Sequence, residues 1–214
     1  ENGNGAFNHR ATHYPDSPGA YPSVIIFTMD ESSDTIRAAM ERLGKAIAAR
    51  GFICDYADIQ ERQIDRLNEA TEWILEEQDA LYAAQDPRPA DWVAIFYGMA
   101  AKYAEHVVDT ADKTACALWL KPLVQGISGD EDARICPWYL ISPQTEKFTA
   151  REILKNMNDR GYKAQLHLAT CQNESNFIDQ FARKGDDAAI TLIWRIASSL
   201  DLEYSSLPDP FGTR

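Results

Sequence analysis

The stretch AQLHLATCQNES, Ala164 to Ser175, decides how the chain is read. Residues 165–169 read as a short buried strand that runs out into a polar turn. Cys171 stands at the exit. A thiol just past the carboxyl end of a strand in an α/β sheet lies in the crevice where such folds place their sites. Backbone N–H groups of the turn Gln172 to Ser175 suit a developing oxyanion, so the pattern fits a cysteine nucleophile. The competing reading is a buried structural cysteine, since free cysteine is among the most buried residue types.

Working outward, strand and helix patterns alternate. Ser23 to Met29, SVIIFTM, is a continuous apolar, β-branched run, the mark of a strand buried on both faces. Ile36, Met40, Leu43 and Ile47 share one helical face, and Gly51 stops that helix. A strand over residues 52–56 completes a right-handed βαβ unit. Ile64, Leu67, Thr71, Ile74 and Leu81 mark a long amphipathic helix that ends before Pro87 and Pro89. WVAIFY, Trp92 to Tyr97, is the next strand, followed by Gly98-Met99-Ala100. A helix and a strand over residues 115–120 are expected next, then a strand at 139–142. A helix follows over 148–161, with Thr149 and Glu152 as a capping box and Gly161 as its stop. Helices are expected at 176–183 and 188–200. These elements predict an α/β fold, a three-layer sandwich with a mostly parallel sheet. The expected organisation is a flexible leader or linker at 1–22, one α/β domain at 23–200 and a surface tail at 201–214.

The 214 residues are 45% hydrophobic with a net charge of −12, which fits a packed core and disfavours nucleic acid and anionic membrane as partners. Cys54, Cys116, Cys136 and Cys171 contain no CxxC pair, so zinc has no support and a reducing cytoplasm is the expected compartment. His9 and His13 have a helical metal spacing in a non-helical stretch, so no metal is expected. No cofactor is expected either: no GxGxxG or GxxxxGK[ST] follows a strand, and no G-x-S-x-G elbow is present. No run approaches a membrane span, and Glu1 in place of Met suggests an excised or processed piece. The five tryptophans, scattered through apolar runs, are expected in the core rather than in a ligand cage.

In order and spacing, SVIIFTM, ARGFICDYAD, DWVAIFYGMA, WYLISPQ, FTAREILKNMNDRGYKA and LHLATCQNES resemble the caspase-like cysteine peptidases, including their metacaspase and CHAT branches. The resemblance covers about residues 23–177. It implies a caspase-like sheet with Cys171 as nucleophile and the backbone N–H groups of Ala100 and Cys171 as oxyanion donors. It also implies a catalytic histidine where this chain has Met99, a thioether that cannot move a proton. A pseudo-peptidase that regulates or pairs with an active relative, binding a protein or peptide and capable of forming a dimer, is the reading that follows. Two alternatives stand beside it. One is an active endopeptidase with a relocated base, His106 being the first candidate, because His167 is four strand residues, about 13 Å, from the thiol. The other is an α/β binding domain unrelated to peptidases.

Overall fold

A computed structural model of the chain describes residues 7–15, 23–29, 33–49, 52–82, 92–108, 114–124, 134 and 136–169. Seven strands form one sheet: β1 (Phe7–His13), β2 (Ser23–Met29), β3 (Cys54–Ile59), β4 (Trp92–Tyr97), β5 (Thr114–Leu120), β6 (Trp138–Pro143) and β7 (Ala164–Ala169). Their order is β1-β3-β2-β4-β5-β6-β7. The pairings from β3 through β7 are all parallel, and β1 alone runs antiparallel, against β3. Four helices connect them: α1 (Asp34–Ala48), α2 (Leu67–Tyr82), α3 (Glu105–Val108) and α4 (Lys147–Asp159).

The apolar runs become central strands because both faces are covered. On one face Val24, Ile26, Val93, Ile95, Cys116 and Leu118 pack with Met40, Leu43 and Ile47 of α1. On the other, Ile25, Phe27, Ala94, Phe96, Trp119 and Trp138 pack with Leu67 and Ile74 of α2, Val107 of α3 and Ile153 of α4. Alternate residues of each strand therefore serve opposite cores, which is why hydrophobicity does not alternate along them. Phe27, Phe96 and Trp138 stack across this second face with centroids 5.4 and 5.8 Å apart. Trp92, Trp119 and Trp138 are core residues, as expected.

Several local expectations need correction. Residues 7–13, expected within a leader, form the edge strand β1. Edge position explains why their polar sequence gives no strand signal: one side of the strand is unpaired, and the apolar alternation of a central strand is not needed. The closest approach is made at Gly44 of α1, where an added Cβ would lie 2.6 Å from the His13 ring. Helix α4 begins at Lys147, before the expected box, and its N-cap Glu146 makes no side-chain cap. Gly161, at φ 91, does end it, in the left-handed conformation that glycine adopts without penalty. The capped helix is α1, where Ser33 accepts from the Ile36 N–H at 3.3 Å. The helices expected at 176–183 and 188–200 lie outside the described residues.

Candidate functional site

The strand order creates one topological switch point. From β2 the chain crosses through α1 to β3 on one side, then through α2 to β4 on the other. Loops leaving the carboxyl ends of β2 and β4 therefore diverge, and a crevice opens between them. A cleft of about 390 Å³ lies there, lined by Met29 at the end of β2, Tyr97, Gly98 and Met99 at the end of β4, and Lys121 and Leu123 past the end of β5. Glu61, Lys102 and Tyr103 complete its wall.

The turn out of β4 is sharp. Gly98 has φ 54, in the left-handed region, and a 3₁₀ turn over Gly98–Tyr103 starts immediately, leading into α3. Among the described residues a Cβ at Gly98 would meet the Leu123 side chain at 3.8 Å, an ordinary van der Waals contact. Its carbonyl is held by the buried Trp119 indole, whose N–H donates to it at 2.9 Å. The neighbouring strand leaves the sheet in the same way: Lys121 has φ 53, and its N–H donates to the Ile141 carbonyl of β6 at 2.9 Å. At the wall, Glu61 accepts from the Tyr103 hydroxyl and lies 3.6 Å from the Lys102 ammonium. The Tyr103 hydrogen bond first, and the Lys102 charge second, hold the Glu61 carboxyl below the usual glutamate range. Beyond the cleft wall lies a second polar cluster: buried Asp58 accepts from Thr28, from the Tyr56 hydroxyl at 3.2 Å and from Arg37 Nε at 3.1 Å.

Of the residues expected to form a thiol site, Met99, Ala100, His106 and His167 lie among the described residues. The strands that lead to Met99 and Cys171, β4 and β7, are separated by β5 and β6, three strand spacings or about 14 Å. Met99 is on the cleft wall, but Cys171 lies outside the described residues. Ala100 is wholly buried inside the 3₁₀ turn. His106, on α3, has Nε2 3.4 Å from Glu105 rather than a place among the cleft-lining side chains. His167 is exposed in the middle of β7, paired in register with Ile141. Cys54, Cys116 and Cys136 are buried with their thiols pushed up by desolvation, Cys136 to about 12, which suits structural and not nucleophilic roles. Among the described residues no cluster of three or more His, Cys, Asp or Glu side chains could hold a metal. No helix among them is long and apolar enough to cross a membrane.

Solved structures with a similar architecture include esterases. No family model and no curated protein sequence matches the chain. Among solved structures it is similar to a bacterial heroin esterase (TM-score 0.59, 12% identity, 90% of this chain and 85% of that one). It is also similar to an esterase/lipase from an uncultured bacterium (0.58, 9%, 91% and 85%). A third likeness is the Bacillus cereus carboxylesterase (0.51, 11%, 90% and 96%). These are α/β-hydrolases, and at such identities the likeness is one of fold. The caspase-like assignment, with its metacaspase and CHAT branches and its thiol-protease and pseudo-peptidase readings, does not stand. Its strand and helix order is common to many parallel sheets, and the sheet order is what separates them.

The residue of the cleft wall that the sequence alone did not single out is Gly98. The signal was present: an apolar strand ending in a glycine, with a short helical turn directly after it. What obscured it was the absence of a serine in the five residues Phe96 to Ala100.

Proposed function

We propose that the chain is an α/β-hydrolase-fold protein that binds a small ligand in the switch-point cleft and does not hydrolyse esters through an elbow serine. In that fold the nucleophile sits on a strained strand-to-helix turn at the top of the sheet, with its side chain projecting into the site. The observation that carries the reading is Gly98, which stands directly after β4, at φ 54, at the head of a helical turn and against the cleft. It has the backbone of an elbow and no atom to attack with. The base is missing as well. The fold's triad runs nucleophile, acid, histidine along the chain. After Gly98 the sequence has only His106 and His167, the first just past the elbow and the second inside β7. Removing the nucleophile from such a triad costs on the order of 10⁶ in rate. The cleft itself supports binding: it is concave, largely apolar, and carries a few charged groups.

The test is to treat the full chain with a fluorophosphonate probe and, separately, p-nitrophenyl acetate. Wild type is expected to take up no adduct and to match the buffer rate, and Gly98→Ser to remain near that background because no base is positioned. A stoichiometric adduct or an acyl burst on wild type defeats the reading.

A further inference from the structure

The charge of the cleft runs against that of the protein. The chain carries −12, yet two lysines, Lys102 and Lys121, and one carboxylate, Glu61, line the cleft. Glu61 is already engaged by Tyr103 and sits beside Lys102, 3.6 Å away, so it balances that ammonium. Lys121 is left over. It is half-buried, and its ammonium has no hydrogen-bond or ion-pair partner among the described residues. It is also the only non-glycine among them with a positive φ. Strained backbone of this kind persists where its surroundings hold it in place, and it gathers at ligand clamps. Here the hydrogen bond from its N–H to Ile141 fixes the turn, and the residue lines the cleft.

We infer that the cleft takes a small monocarboxylate with an apolar body. The Lys121 ammonium holds the carboxylate, and Met29, Met99 and Leu123 cover the body. This rests on the binding reading above and gives its ligand a chemical class. One unpaired cation in a largely apolar cleft suits one negative charge. A phosphate carries up to two charges and more acceptor oxygens, and it calls for additional donors. A cleft of about 390 Å³ lies in the range of small-molecule sites.

Titration of the full chain at neutral pH with hexanoate, hexan-1-ol and inorganic phosphate, followed calorimetrically, tests the assignment. Hexanoate is expected to saturate and to bind at least about tenfold tighter than either comparison compound. Lys121→Met is expected to weaken hexanoate by about tenfold, and Lys121→Arg to stay within about threefold of wild type. Lys121→Gly relieves the backbone and removes the charge, so it is expected to fold at least as well as wild type and bind as poorly as Lys121→Met. Equal binding of hexanol, tighter binding of phosphate, an unaffected Lys121→Met or no saturation by hexanoate each overturn the inference. Failure here with wild type still refractory to the fluorophosphonate leaves the elbow reading intact. An adduct on wild type defeats that reading whatever hexanoate does.

Discussion

Gly98 and Lys121 occupy equivalent places and have opposite contents. β4 and β5 are parallel neighbours with Tyr97 level with Leu120, so the two following residues leave the sheet side by side. Both do so in the left-handed region, at φ 54 and 53. Glycine takes that conformation without penalty, whereas any residue with a Cβ loses about 1–2 kcal/mol. The chain thus has the permissive residue at one turn, and a long cationic side chain where the backbone favours glycine at the other. On the proposed reading, that contrast puts the cleft's chemistry in a charge at the second turn and not in a nucleophile at the first.

The largest effect should come from the group that joins the two turns. Trp119 donates to the Gly98 carbonyl from within β5, two residues before Lys121. Trp119→Phe would leave that carbonyl buried without its donor and open a void against Trp138, whose ring packs edge-on at 6.4 Å. A loss of about 2–4 kcal/mol is expected from these two causes, read from the urea midpoint. A loss under half a kcal/mol would mean that the elbow is held by its own backbone.

The paired substitutions come next, and their signs should differ. Gly98→Ala places a Cβ in ordinary contact with Leu123, so backbone strain is the cost added, and about 1–2 kcal/mol of stability should be lost. Lys121→Gly removes similar strain but gives the unfolded chain more freedom, leaving a net change between zero and about 1 kcal/mol in the stabilising direction. Thermal or urea unfolding of both variants decides it. Matching signs would break the equivalence of the two turns.

How legible this was in the sequence follows from where each residue sits. SVIIFTM and WVAIFY announce themselves as strands because both of their faces are buried, and α1 shows its apolar stripe. β1 was hidden because an edge strand need not be apolar. The capping-box pattern at Thr149 misled, since helix α4 had already begun at Lys147. The site was the least legible part. Which strands are neighbours is a property of long-range pairing that no local pattern encodes. Read in the wrong sheet order, Met99 looks like a lost histidine beside a thiol; in the observed order, its neighbour Gly98 stands at the switch-point cleft. Nothing in the residues around Lys121 signals a positive φ, because that conformation is imposed by the pairing with β6.

Glu61 gives the smallest effect, and it bears on why Lys121 rather than Lys102 is the free cation. Its carboxyl titrates below the ordinary value of 4.5, through the Tyr103 hydrogen bond and then the Lys102 charge. A depressed carboxylate stabilises the folded state fully above the unfolded value, and that contribution is lost as pH falls through the lower folded one. The stability gap between wild type and Glu61→Gln should therefore be present at neutral pH and close on acidification below about 4.5. At neutral pH the same variant releases Lys102 and makes the cleft more positive. Hexanoate affinity should then rise by about twofold, the size expected of one water-screened charge at a cleft mouth. A fall in affinity instead would mean that Glu61 orders the site through Tyr103, and that the contrast between the two turns is not what sets the cleft's preference for anions.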